Sequence, residues 1–566
     1  MPLTRPAIIT PLSTLLIATL FTGCSEGSAR KAEQNYLQFC VSCHGKNLSG
    51  GIAPSMLDDD WAHGGTDAEI TQQIVAGNPT VGMPAFGEVL SDAEVRALVV
   101  YIREQRSQHR TNPPPAPKPD DEEIVVTADH RFRVETVTTD VNTPWGINWL
   151  PDGTLMIAEK SGNLRLWRDD SLSDPIDGIP NVDTLSQAGL FDAVAHPNYS
   201  ENGWIYLSFA DIQTKLTGSR LSLTKIVRGR IANGTWIDEE TIYEGPIEHY
   251  GKAGGFHFGS RIVFDREGYL FFSIGDRGAQ QQSQDLSLPN GKVHRVFDDG
   301  RIPPDNPFVN QAGAVPSIWS YGHRNPQGLD FDPRDDSLWS TEHGPRGGDE
   351  LNLVRPALNY GWPVITYGMN YNGTPITSET ARDGMEQPIV HWTPSIAVCG
   401  IAFYGADKFA AWENNLLVTA LADRHLRRVV IEDGAVTQQE IILQDIGRCR
   451  DVSTGPDGLI YIAVNGPDKI VRLVPIDSPH CRGLRYFSQE ETKRTKPSHG
   501  EPRRVRVPSS SPLTQPAGQS RSLPREGRSP YRPQRPLHPG GSVTSYTQAA
   551  VELRCVSLSF SSFPSG

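Results

Sequence analysis

Pro151-Asp152-Gly153-Thr154-Leu155-Met156-Ile157 reads as a tight turn feeding a short β-prone run, with Asp and Gly serving the turn and uninterrupted apolar residues following. The same grammar recurs at Asn202-Gly203-Trp204-Ile205-Tyr206-Leu207, Asp265-Arg266-Glu267-Gly268-Tyr269-Leu270-Phe271 and Asp335-Asp336-Ser337-Leu338-Trp339. It returns at Glu413-Asn414-Asn415-Leu416-Leu417-Val418 and Pro456-Asp457-Gly458-Leu459-Ile460-Tyr461. Six copies at uneven intervals of roughly 45 to 80 residues suit a radial array of four-stranded blades with variable loops. The expected fold is mainly β, a six-bladed β-propeller over residues 130–475; a sandwich or several small β domains is the alternative.

Upstream, Asn112 to Pro119 is proline-rich and runs into Asp120, Asp121, Glu122 and Glu123, which predicts a semi-rigid, solvated linker over 109–129. Before it, Cys40-Val41-Ser42-Cys43-His44 spells C-x-x-C-H, the pattern for covalent haem attachment through Cys40 and Cys43 with His44 as an iron ligand. Met83, in Gly82-Met83-Pro84, is the best candidate for the second axial ligand, ahead of Met56 and His63. A reduced thiol pair or half of a zinc site is the competing reading, and no second C-x-x-C or spaced His pair lies nearby to complete it. Ser91 followed by Glu94 makes a capping box for a helix whose Val95, Leu98, Val99 and Ile102 share one face. Residues 30–108 thus resemble a small, all-α class I cytochrome c domain.

The remaining segments set the compartment. Residues 1–24 have the form of a signal peptide ending in Phe21-Thr22-Gly23-Cys24, a lipoprotein-type site at which Cys24 is lipidated, with ordinary signal cleavage or an uncleaved anchor as alternatives. Each route predicts a periplasmic or cell-surface protein, and lipidation a membrane-surface partner. The net charge of −13 over 566 residues argues against nucleic acid. Of the seven cysteines, Cys399 and Cys449 are candidates to pair. Residues 476–566, rich in Arg, Pro and Ser with about eight more basic than acidic side chains, read as a disordered tail without assigned function.

Propellers gather function where loops meet at the channel. Polar loop clusters occur at Leu185 to Leu190, Gly254 to Gly259 with Ile274-Gly275-Asp276, Tyr321 to Gly328, Glu342-His343-Gly344-Pro345, and Arg448 to Asp451. Gly322-His323-Arg324-Asn325-Pro326-Gln327-Gly328, His343-Gly344-Pro345 before Asp349-Glu350-Leu351-Asn352, and Asn359-Tyr360-Gly361-Trp362-Pro363 resemble the pyrroloquinoline quinone (PQQ)-dependent soluble glucose and aldose sugar dehydrogenases. The resemblance implies a general base at His257 oriented by Asp276, and Arg324 stabilising the charge that develops on the quinone as hydride arrives. It also implies cofactor contacts from Gln187, Asn325, Arg448 and Arg450, and calcium held by the backbone carbonyls of Gly344 and Pro345.

Two positions depart from that pattern. Where the glucose enzymes carry a cofactor lysine this chain has Ala422, so the cation is absent unless Arg424 or His425 replaces it, and His343 stands for a glutamine. The expected function is oxidation of an aldose, or a related alcohol or aldehyde, by hydride transfer to PQQ. Electrons would leave through the haem to an unidentified acceptor, and the fused carrier raises the local acceptor concentration. A non-catalytic glycan- or protein-binding propeller and a calcium-dependent lactonase are the alternatives.

Overall fold

Each of the six turn motifs lies between the first and second strand of one blade, and the reason is local. The side-chain oxygens of Asp152, Asn202, Asp265, Asp335 and Asp457 each accept a hydrogen bond from the backbone N–H two residues on, at 3.0 Å in every case. In the remaining copy Asn414 takes φ +60°, a left-handed turn that Asn tolerates. The apolar run after each turn becomes a buried second strand, as in Leu155–Glu159, Leu270–Ile274 and Leu416–Ala420.

The computed structural model describes residues 30–59, 61–110 and 124–476. The expectations for Cys24, the proline-rich spacer and the tail beyond Ile476 lie outside those residues. Among the described residues there are six antiparallel sheets of four or five strands, a six-bladed propeller. The first strands, Pro144–Trp149, Leu190–Ala195, Ile262–Phe264, Pro326–Phe331, Val398–Phe403 and Arg448–Thr454, adjoin one another around the axis. Apolar clusters fill the spaces between consecutive sheets, so every blade buries both faces.

Two devices close the ring. Arg131–Thr138, far upstream of the last blade, pairs antiparallel with Lys469–Pro475, so the final sheet is built from both ends of the domain. Around the axis, buried carboxylates of alternate blades reach the backbone of the next: Asp192 accepts from Ile262 N (3.1 Å), Asp330 from Phe403 N (2.7 Å) and Asp451 from Ile147 N (2.9 Å). Arg261 neutralises two of them, 2.9 Å from Asp451 and 3.6 Å from Asp192.

The N-terminal domain packs Ala32–Phe39, Asp67–Ala76 and Asp92–Arg110 around Tyr36, Ile70, Ile74, Leu98, Val99 and Ile102. Ser91 caps the last helix as expected: its hydroxyl accepts from Glu94 N (3.4 Å) while Glu94 Oε2 accepts from Ser91 N (3.0 Å). Regular structure reaches into both ends of the expected 109–129 spacer: this helix runs to Arg110, and Ile124–Val126 forms the outermost strand of the last blade. The two domains also touch. Met369 of the propeller is fully buried in the helical core, and Arg346 pairs with Glu104 at 2.7 Å.

Cys399 and Cys449 do not pair, contrary to the sequence reading. They sit on the first strands of adjacent blades but turn to different surroundings. The Cys399 thiol meets Gln327 and Arg450, whereas Cys449 packs among Ile462 and Val464.

Candidate active site

Antiparallel pairing places the start of each first strand beside the end of each second strand, so both sets of residues emerge at one end of the propeller. There a pocket of about 300 Å³ is lined by Trp145, Lys160, Gln187, Asn325, His343, Leu421, Arg448, Arg450 and Asn465, among others. The sequence candidates Gln187, Asn325, Arg448 and Arg450 therefore share one wall. His257 is joined to it through its backbone N–H, which donates to Gln187 Oε1 at 2.9 Å, so this Gln187 oxygen serves the His257 loop. Arg324 is joined through its guanidinium, which donates to the carbonyls of His343 (2.9 Å) and Gly344 (2.7 Å).

His257 and Asp276 form the expected pair, Nδ1 to Oδ1 at 2.6 Å. Asp276 is completely buried, and its other oxygen accepts from the Trp362 indole at 2.8 Å. Burial opposes ionisation of Asp276, but the His257 hydrogen bond and the Arg324 charge outweigh it and hold the carboxyl below its ordinary pKa. His257 is lowered as well, by burial first and by Arg324 second, against the pull of Asp276. At neutral pH the pair is thus a carboxylate and a neutral imidazole whose Nδ1–H points at Asp276, which leaves Nε2 as a base. His257 holds φ +57°, and Gly275 has no Cβ because one there would run into the His257 carbonyl.

The Arg324 motif is built on Glu342. One Glu342 oxygen accepts from the backbone N–H groups of Arg324 and Asn325, and the other lies 2.9 Å from His323 Nδ1. Asn325 Oδ1 accepts from Gly259 N at 3.0 Å, locking the motif to the His257 loop. Arg450 is buried, stacked 3.8 Å above the Trp145 ring, while Arg448 is exposed at the rim. Two buried polar atoms, Arg324 Nε and His343 Nε2, have no protein partner among the described residues. Such unfilled donor capacity in a cationic pocket fits a polar, multiply anionic cofactor. For calcium, Gly344 and Pro345 offer oxygens of the right class, and the Gly344 carbonyl already accepts from Arg324, whose charge an ion there would face.

In the helical domain an apolar cleft is lined by His44, Met56, Trp61, His63, Ile70, Ile74, Met83 and Ile102. His44 and Met83 therefore face a common space, shared by both rival ligands. Met83 is held by paired backbone hydrogen bonds to Asn78 (2.8 and 3.0 Å), whereas His63 is exposed. Burial lowers the His44 pKa, with the Pro54 carbonyl opposing, which favours the neutral imidazole that binds iron. Burial and the neighbouring Cys43 push Cys40 up to about 11. An apolar slot lined by His44, the residue that directly follows the Cys40/Cys43 pair in sequence, fits a covalently attached haem.

Residues 141–472 match the family model for glucose/sorbosone dehydrogenase. The chain belongs to the glucose/sorbosone dehydrogenase family. It is 39% identical to an aldose sugar dehydrogenase of Escherichia coli K12 over 335 residues, 58% of this chain and 89% of that protein. The apo-form crystal structure of the soluble aldose sugar dehydrogenase from Escherichia coli superposes with a TM-score of 0.57 at 36% identity, covering 61% of this chain and all of that one. Residues 27–102 match the family model for subunit III of cbb3-type cytochrome c oxidase, and 82 residues are 34% identical to the CcoP subunit of Azospirillum brasilense, 13% of this chain and 28% of that protein.

Neither replacement suggested by the sequence for the missing lysine lines the pocket. Arg424 is turned outward in a 2.7 Å pair with Asp445, and His425 is fully buried in its strand with its pKa pushed down to about 3 by burial. Lys160 does line the pocket, its ammonium 2.7 Å from the Thr184 carbonyl. The signal that would have found it is register: Lys160 and His343 each directly follow a second strand, Leu155–Glu159 and Leu338–Glu342, and Asn465 ends another, so all three emerge beside the pocket. Trp362 and Glu342 lay inside recognised motifs, but their roles as partners of Asp276 and of the Arg324 backbone depend on contacts 86 and 18 residues apart.

Proposed function

We propose that this protein is a quinohaemoprotein sugar dehydrogenase, and the His257–Asp276 pair beside a pocket with Lys160, Arg448 and Arg450 is the observation that carries the reading. PQQ, when bound, would supply a two-electron hydride acceptor, and haem c at Cys40, Cys43, His44 and Met83 a one-electron outlet. Loss of hydride from a sugar's anomeric carbon is favourable only as its hydroxyl proton leaves, and neutral His257 Nε2 is the group available to take it. Asp276, held by Trp362, fixes the tautomer and stabilises the imidazolium that results. Lys160, Arg448 and Arg450 would bind cofactor carboxylates, Gln187 and Asn325 hold the loops that face them, and Arg324 keeps positive charge at the base. Calcium at Gly344 and Pro345 would face the Arg324 charge at the Gly344 carbonyl.

Two exposed rings lie at this site, Phe256 beside the base and Tyr371 beside Arg324. Phe256 lies 6.1 Å from the His257 ring, and Tyr371 lies 5.9 Å from the Arg324 guanidinium. An apolar platform next to hydrogen-bonding groups suits the C–H face of a pyranose. Export, lipidation at Cys24 and discharge of the haem to an acceptor at a membrane surface complete the reading.

The test is phenazine-linked oxidation of an aldose panel by PQQ-reconstituted protein. At least one aldose is oxidised, and His257→Ala cuts kcat/KM by roughly 10²- to 10⁴-fold. Failure to oxidise any sugar, alcohol or aldehyde with PQQ bound contradicts the proposal.

A further inference from the structure

The loop that follows Gly344 belongs to the pocket at one end and to the cytochrome domain at the other. Arg346 and Met369 exchange backbone hydrogen bonds (3.0 and 2.9 Å), an isolated antiparallel bridge that clasps together the loops flanking the blade segment that begins with strand Asp349–Val354. At its pocket end, the carbonyls of His343 and Gly344 hold the Arg324 guanidinium. Its far end grips the helix Asp92–Arg110. Arg346 pairs with Glu104 (Nη2 to Oε2, 2.7 Å), Gly347 packs against Val100, and Arg96 lies over the Tyr367 ring at 5.1 Å. Arg96 also donates to the Tyr367 carbonyl at 3.3 Å, and Ala32 N donates to the Gly373 carbonyl at 2.9 Å. Met369 is fully buried in the helical core, so the contact includes an apolar plug as well as charges.

The same helix lines the haem cleft through Ile102, two residues from Glu104. Pocket, clasp, helix and cleft are thus contiguous: Gly344 is two residues from Arg346, which touches Glu104. Glu104 and Arg346 are both largely buried in this contact, at 11% and 29% side-chain exposure, so the pair is sheltered from solvent screening.

We propose that the clasp is the electron outlet of the quinone pocket, and that the Arg346–Glu104 pair holds the cytochrome in the conformation that receives electrons. This inference rests on the function proposed above and replaces a haem that swings on a tether with one that is docked. Each sugar oxidised delivers two electrons and two protons. A haem held by Cys40, Cys43, His44 and Met83 would accept these electrons one at a time, an external one-electron acceptor such as ferricyanide reoxidising it in between; both protons go to water.

The test uses full-length protein loaded with haem and PQQ. Haem reduction after mixing with an aldose is followed by stopped flow, and phenazine-linked sugar oxidation is measured in parallel. Amide hydrogen exchange of the helix Asp92–Arg110 in sugar-free protein reports docking directly, rising in Glu104→Arg and returning in the double variant with Arg346→Glu. Glu104→Arg places like charges in the contact and is expected to slow haem reduction about tenfold or more while phenazine-linked turnover is unchanged. The double variant Glu104→Arg with Arg346→Glu restores opposite charges and recovers the haem reduction rate. Unchanged haem reduction in Glu104→Arg, or a slow rate that the double variant does not recover, overturns the proposal. Absence of phenazine-linked turnover in the parent protein would instead refute the dehydrogenase reading, so the two failures are distinct.

Discussion

Three effects converge on His257, the proposed base. Burial and Arg324 lower its pKa, Asp276 fixes its tautomer, and Gln187 pins its backbone. The base works only when neutral, so activity is full above its pKa and is lost as pH falls through it. The acid limb of the kcat/KM profile is therefore expected below pH 6.5, the ordinary imidazole value. Asp276→Asn removes the partner that raises the His257 pKa, and the limb should move to still lower pH with a reduced plateau. An acid limb above 6.5 in the parent protein would show the ring to be something other than this base. Lys160→Gln tests the pocket cation: losing one charge-assisted hydrogen bond costs about 1.5–3 kcal/mol, roughly ten- to hundredfold in PQQ affinity measured by fluorescence titration. An unchanged affinity would remove Lys160 from the site. His257, Asp276 and the arginines were legible because short glycine-bounded motifs carry them. Lys160 was not, since a lysine at a strand end has no local signature and becomes a pocket residue only through the register of its blade.

At the scale of elements, the turn motifs were readable because five of the six are self-contained Asx turns, satisfied within two residues. What joins one blade to the next was not. The reach of Asp451 to Ile147 N spans 304 residues, and its pairing with Arg261 spans 190. Asp451→Ala leaves the buried Arg261 with Asp192 alone and removes a clip between the last and first blades. It is expected to lower propeller stability by about 3–5 kcal/mol in denaturant melts, and a loss under about 1 kcal/mol would contradict that role. In the helical domain, the capping box holds Glu94 at a pKa of about 2: burial opposes this, and hydrogen bonds from Ser91, Arg30 and Asn35 outweigh it. A carboxylate lowered on folding contributes fully above its unfolded value and is lost as pH falls toward about 2. Glu94→Gln should therefore melt the cytochrome domain at a higher pH on acid titration, with little change in that midpoint for a control on the exposed Glu88.

Over the whole molecule, the sequence announced two domains and their chemistries but not their contact. Composition marks a proline-rich spacer as a spacer whether or not the domains it joins are docked, and neither Arg346 nor Glu104 belongs to a motif. The ring closure by Arg131–Thr138 escaped for the same reason, because a strand whose partner lies over 300 residues away carries no local mark of its pairing. In the proposed function, the docked arrangement would turn a pocket and a haem cleft into one path, entered by sugar beside His257 and left through the cytochrome. Its most direct test is a single mixing experiment, in which oxidised, haem-loaded, PQQ-loaded protein meets an aldose and the haem absorption bands are followed in time. Sugar-dependent haem reduction that requires PQQ and disappears in His257→Ala is the predicted result; haem that stays oxidised with every aldose, or is reduced equally well by the His257→Ala variant, would contradict it.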